Sequence, residues 1–121
     1  MIWAIIFIST FINPLQAGEL SVEQLKNKAY VQYKSGVNEY NKENYELALQ
    51  YFQKSLQYRP LTKTRKFVED IRKKGKSYYE TGVALTNFNK ELSIQYLKKA
   101  LPLIDPVDKK TIEHINELLL N

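Results

Sequence analysis

The chain has 121 residues, 44% of them hydrophobic, and a formal net charge of +5. A chain of this length forms one domain with a modest core, which argues against an enzyme with a large internal cleft. The lack of cysteine excludes a disulfide framework and a thiolate metal site, and the positive charge favours acidic partners without identifying nucleic acid.

The first residues have the order of a secretory signal. An apolar run over residues 2–12 is broken by Pro14 and followed by small residues, of which Ala17 precedes Gly18. The run is shorter than the roughly 20 apolar residues that span a bilayer, and no Lys or Arg precedes it. We predict a signal peptide over 1–17, with an uncleaved anchor or a buried helix as alternatives. We expect an exported protein of a bacterial periplasm or cell envelope, anchored in the membrane through residues 1–17 if the signal is not cleaved.

From residue 21 onward the pattern is helical. Ser21 followed by Gln24 is a capping-box pattern, which predicts a helix start. Small and apolar residues then recur at steps of three and four as far as Tyr40, so they share one face. After a polar turn, a second helix ends before Pro60, because proline disfavours helical geometry in the residue before it. The short link predicts that the two helices are antiparallel.

The same unit recurs further along the chain. Residues of the first helix return 46 positions later and those of the second helix 45 positions later. The pairs in the first helix are Tyr33 and Tyr79, Gly36 and Gly82, Val37 and Val83, and Asn41 and Asn87. Polar residues stay in register with apolar ones, which favours duplication over coincidence.

Residues 33–60 resemble a tetratricopeptide repeat. The residues at matching places are Gly36, Tyr45, Ala48, Phe52, Ser55 and Pro60. The resemblance implies an all-α, right-handed solenoid of antiparallel helix hairpins, with unit one over 21–60 and unit two over 62–105. Small residues would lie where the helix axes approach closely, and Phe52 would fill the gap. Unit two matches less well, and its period of 45–46 residues exceeds the family's roughly 34.

The extra residues lie at positions 61–75. Apolar residues at helical steps predict that they lengthen the third helix, which would run over about 62–87. Gly75 could instead divide this helix in two. After the fourth helix, Asp105 and Pro106 are typical of an N-cap and first turn, and they predict a capping helix over 106–120. The whole would have about five helices within one domain over 18–121.

No catalytic arrangement is visible. The single histidine, His114, has no cysteine or second histidine to act with, and we predict that it lies on the surface. Acidic residues do not form a paired-carboxylate site or a calcium loop, and no glycine-rich phosphate loop occurs. We therefore expect a protein that is not an enzyme and has no cofactor and no bound metal.

Seven basic residues concentrate on the third helix. They are Lys63, Arg65, Lys66, Arg72, Lys73, Lys74 and Lys76. At helical steps they spread around the helix and mix with Glu69 and Asp70, which favours a solvated face. A candidate basic patch for nucleic acid or an anionic surface is the alternative.

The resemblance also implies a binding groove lined by the first helix of each unit. The residues at groove-facing places are Tyr33, Val37, Tyr40, Asn41, Tyr79, Val83, Thr86 and Asn87. Such side chains can hold an extended peptide, which implies a noncatalytic adaptor for a protein or peptide partner. Clamping of a C-terminal carboxylate is disfavoured, because Tyr33 and Val37 stand where that subset has Lys and Asn. The alternatives are that the tyrosines pack on the neighbouring unit, or that the chain is a small oligomerisation module.

Overall fold

The computed structural model describes residues 20–121, and within that range it contains helices and no strand. The helices are α1 (Val22–Asn41), α2 (Tyr45–Tyr58), α3 (Thr62–Leu85), α4 (Lys90–Ala100), a 3-10 turn (Leu101–Leu103) and α5 (Lys109–Leu120). The predicted all-α class with five helices is confirmed. The signal or anchor predicted over 1–17 lies outside the described residues, and no described helix is long and apolar enough to cross a membrane.

The predicted start of α1 is confirmed atom by atom. The Gln24 backbone N–H donates to Ser21 Oγ at 3.1 Å, and the Ser21 N–H donates to Gln24 Oε1 at 2.9 Å. This reciprocal pair satisfies two N–H groups that a helix start leaves without an internal partner. At the other end of the hairpin, Arg59 is extended ahead of Pro60 and α2 has already ended.

In each hairpin the two helices pack closely at a glycine of the first helix. A Cβ at Gly36 would lie 2.6 Å from the Phe52 ring, and one at Gly82 would lie 2.7 Å from the Leu97 side chain. Because real Cβ atoms do not come this close to a neighbour, only glycine lets α1 approach α2, and α3 approach α4, at these points. The two glycines thus occupy matching places, as the repeat predicts.

Buried serine hydroxyls tie the helices of each pair together. Ser55 Oγ donates to the Ala29 carbonyl oxygen at 2.7 Å across the first hairpin, and Ser93 Oγ donates to the Gly82 carbonyl oxygen at 2.6 Å across the second. Both serines are almost fully buried. A buried hydroxyl needs such a partner, since one without it would lose its hydrogen bonds to water.

The core consists of two connected clusters. The first contains Phe52 and Leu49 from α2 together with Ile71 from α3 and Leu103 from the 3-10 turn. The second contains Leu97, Ala100, Ile104 and Ile115. Tyr78 packs against both. Because residues of the second hairpin complete the core of the first, the two hairpins depend on each other for stability.

Helix α3 is continuous through Gly75, as predicted, and ends at Leu85. The last helix, however, does not begin at Asp105. The Asp108 N–H donates to the Asp105 carbonyl oxygen at 2.9 Å, so a turn with Pro106 at its second position comes first. The N-cap of α5 is Asp108, whose carboxylate accepts from the Thr111 N–H.

Candidate interaction surface

The two groove-candidate tyrosines of the first unit, Tyr33 and Tyr40, have rings that pack between α1 and α3. Tyr33 contacts Phe67 edge-on, with ring centroids 6.0 Å apart, and Tyr40 contacts Phe67 with a separation of 5.0 Å. Phe67 in turn stacks on Phe52 at 4.8 Å. The two tyrosine rings predicted to line a binding groove therefore pack the first hairpin against α3.

The hydroxyl of Tyr40 also has a hydrogen-bond partner within the chain. It donates a hydrogen bond to a carboxylate oxygen of Asp70 on α3. This bond, together with partial burial and the negative charge of Asp70, raises the pKa of Tyr40 to about 12. The Lys74 ammonium lies 3.8 Å from the same carboxylate and 5.2 Å from the ring centroid of Tyr45. The polar groups of Tyr40, Asp70 and Lys74 therefore find their partners in one another.

The second unit repeats the contact with a different residue type. Tyr79 meets His114 edge-on, with ring centroids 5.8 Å apart, and its hydroxyl oxygen lies 2.7 Å from Nδ1 of His114. His114, predicted to lie on the surface, is partly exposed, but its ring also packs against Tyr79 of α3. The Tyr79–His114 pair has a ring separation and an interplanar angle close to those of the Tyr33–Phe67 pair.

The other five groove candidates differ in how far they are exposed to solvent. Val37 and Val83 pack against the two core clusters. Thr86 Oγ1 donates to the Gly82 carbonyl oxygen at 3.2 Å. Asn41 is exposed at the end of α1, and Asn87 is exposed in the turn that follows α3. Of the eight candidates, only these two asparagines are fully available to a partner.

The basic residues of α3 do not form one patch. Arg72 donates from one nitrogen to the carbonyl oxygens of Leu103 and Ile104, each at 3.1 Å, so it has a structural role. Lys76 lies 3.8 Å from a carboxylate oxygen of Asp108, and Lys74 pairs with Asp70 as above. The exposed residues of the set without an ion pair in the described part of the chain are Lys63, Arg65, Lys66 and Lys73.

An exposed tyrosine that the sequence reasoning missed lies beside these cations. Tyr30 on α1 is 51% exposed. The Lys34 ammonium lies 5.7 Å from its ring centroid, and the Lys63 ammonium lies 5.9 Å from it and 4.5 Å from the Tyr33 centroid. Tyr30 is three residues before Tyr33 and so lies on an adjoining part of the same helix face. That spacing is the signal that could have identified it.

A separate open groove of about 570 Å³ lies beside the start of α2 and the end of α4. Its lining includes Tyr45 and Tyr78 and mixes Glu43 and Glu46 with two lysines, so it has no single sign of charge. No group of three or more His, Asp and Glu side chains in residues 20–121 could hold a metal ion. No protein-family model matches the chain, and neither a curated protein nor a solved structure does.

Proposed function

We propose that this chain is a noncatalytic scaffold built from two tetratricopeptide-like hairpins and a closing helix. In this proposal the hairpins stack as a right-handed solenoid, and a peptide or protein partner binds on the surface formed by α1 and α3. The observation that carries it is the repeated contact of a tyrosine with the α-helix two helices further along the chain, from α1 to α3 and from α3 to α5. Tyr33 meets Phe67 and Tyr79 meets His114 at nearly equal separations.

The direction of the helices supports the same arrangement. Going along α1 from Tyr33 to Tyr40, the contacts on α3 advance from Lys63 to Asp70, so α1 and α3 run in the same direction. Stacking identical elements in this way leaves one continuous face formed by the first helix of each hairpin. Such a face is suited to holding an extended chain.

The end of the array fits the proposal as well. Helix α5 turns Ile115 and Thr111 inward, while Lys110, Glu113 and Glu117 are exposed. A closing helix with a polar outer side keeps a stack of hairpins soluble, since it covers the last apolar face without offering another. The binding surface would then lie on α1 and α3 rather than at this end.

Site-specific photo-crosslinking tests the proposal. A photoreactive phenylalanine analogue is placed at Asn41, the last residue of α1, or at Asn87, which is exposed in the turn after α3, and is irradiated in intact cells of the native organism. Matched controls carry it at Gln53 or Gln95, which are exposed on the second helices. We expect the same protein to be captured from Asn41 and Asn87 and not from the controls. Equal capture from all four positions, or from none, would contradict a binding surface on α1 and α3.

A further inference from the structure

One part of the α1–α3 surface combines an exposed aromatic ring with two lysines that form no ion pair among residues 20–121. Lys34 and Lys63, from two different helices, both approach the half-exposed ring of Tyr30 within 6 Å, at 5.7 and 5.9 Å. Cation–π attraction favours this placement of the two ammonium groups beside one ring, and both lysines are exposed to solvent. The tertiary structure creates this pairing, since the two lysines belong to separate hairpins.

Acidic residues are missing from both helix segments that form this surface. Residues 24–38 of α1 and residues 62–68 of α3 contain no Asp or Glu. The three ion pairs among residues 20–121 involve Glu39, Asp70 and Asp108, all outside these segments. Two more exposed lysines, Lys26 and Lys66, lie one helical turn from Tyr30 and Lys63 respectively. The charge is therefore positive around Tyr30, Lys34 and Lys63, while Glu23 and Glu69 lie one helical turn from the outer lysines Lys26 and Lys66.

We infer that this basic aromatic surface, formed by Lys26, Tyr30, Lys34, Lys63 and Lys66, binds an acidic segment of a protein partner. The inference rests on the proposed scaffold function and specifies its ligand. Carboxylates of the partner would pair with the lysines, and charge complementarity would also speed the encounter. An aromatic or aliphatic residue of the partner would pack on the open part of the Tyr30 ring.

The surface suits a short acidic peptide better than a polyanion. Nucleic acid gains affinity from many phosphate contacts made along a continuous basic track. Here the track is interrupted, because Lys74 and Lys76 pair with carboxylates of the chain and Arg72 donates to backbone carbonyls. What remains is a compact cluster next to a ring, which matches a segment of a few acidic residues with one apolar side chain.

Fluorescence anisotropy with the full chain tests the inference. The probe is a fluorescein-labelled 12-residue peptide of Glu, Asp and one Phe, and its control replaces every Glu and Asp by Gln and Asn. We expect the wild-type chain to bind the acidic peptide and not the amide peptide. The double variant Lys34→Glu with Lys63→Glu should weaken binding at least about tenfold, because two attractive contacts become repulsive. A second double variant, Lys26→Glu with Lys66→Glu, should also weaken it.

Lys54→Glu is the matched control. Lys54 on α2 lies 5.9 Å from the Tyr51 ring centroid, so it forms the same kind of lysine–tyrosine pair away from α1 and α3. We expect its affinity to stay within about twofold of wild type, because only general charge changes. Circular dichroism melting shows that each variant is folded. Equal weakening by Lys54→Glu, or no binding of the acidic peptide by the wild-type chain, would overturn the inference.

Two further arms address other anionic ligands. The same assay is repeated with a 12-nucleotide single-stranded DNA and with vesicles containing phosphatidylserine. If either binds more tightly than the acidic peptide, and the Lys34→Glu with Lys63→Glu variant weakens that binding as well, the inference is overturned. The experiments distinguish failure of the acidic-ligand inference from failure of the scaffold proposal. If crosslinks from Asn41 and Asn87 still capture one partner and the acidic peptide does not compete, the scaffold stands and the acidic ligand is wrong.

Discussion

The hydroxyl oxygen of Tyr79 lies 2.7 Å from Nδ1 of His114, which joins the second hairpin to the last helix through the only histidine of the chain. The corresponding place on α3 is occupied by Phe67, which meets Tyr33 edge-on. One packing position thus accepts either an apolar ring or a hydrogen-bonding ring, because both rings lie at a steep angle to the tyrosine ring, 66° for Phe67 and 75° for His114.

Replacing His114 should test this equivalence. His114→Ala removes both an edge-on ring contact and a hydrogen bond, so we expect a loss of about 1–2 kcal/mol in the free energy of unfolding. His114→Phe restores the ring and should recover at least part of that loss. Urea denaturation at neutral pH measures both. Unchanged stability in His114→Ala would show that α5 does not depend on this contact.

The glycine contact in the first hairpin predicts an overpacking effect. Gly36→Ala places a Cβ against the Phe52 ring, where 2.6 Å is available, and we expect a destabilisation of about 1–3 kcal/mol despite the better helix propensity of alanine. The double variant Gly36→Ala with Phe52→Leu should lose less than the sum of the two single changes, since leucine leaves room for the new methyl group. Thermal and urea unfolding of the four chains measure the coupling. Simple additivity would contradict the contact.

Arg72 should matter for stability and its neighbour should not. Arg72→Met leaves the Leu103 and Ile104 carbonyl oxygens without their charged donor, and we expect a loss of about 1–2 kcal/mol, reduced from the value for a buried group because water reaches this side chain. Lys73→Met removes one exposed positive charge and should change stability by less than about 0.5 kcal/mol. Urea unfolding compares the two. An equal effect would indicate that net charge, not the carbonyl contact, is responsible.

Tyr40 should make the protein sensitive to alkaline pH. Its folded-state pKa is raised from 10.0 to about 12, first by the hydrogen bond to Asp70. A group with a raised pKa contributes stability that is fully present below the unfolded value and is lost as pH rises through the folded value. We therefore expect unfolding free energy to fall between pH 10 and about pH 12, and to fall less steeply in Tyr40→Phe.

Asp70→Asn supplies the control for that prediction. It removes both the charged acceptor and the negative charge, so the phenol of Tyr40 should ionise nearer to its ordinary pH. The difference in phenolate absorbance between each chain and its Tyr40→Phe counterpart, followed as a function of pH, separates Tyr40 from the other eight tyrosines. An unchanged titration curve in Asp70→Asn would mean that Asp70 does not set the pKa of Tyr40.

Much of the fold could be predicted from the chain alone because its signals are local. The Ser21–Gln24 capping box, the end of α2 before Pro60 and the matched positions of Gly36 and Gly82 all follow from spacing along a helix. The start of α5 was misplaced by a competing local signal. Asp105 and Pro106 suit a turn as well as a helix start, and Asp108 three residues later took the N-cap position.

The candidate surface was predictable only in part, because it depends on which distant side chains meet. The sequence determined that Tyr33 and Tyr79 share equivalent helix faces. The tertiary structure decided that Phe67 and His114 cover them, and that Lys63 reaches Tyr30 on another helix. Helical periodicity specifies the direction of a side chain from its own axis. It does not specify the neighbouring helix, whose position follows from burying the shared core.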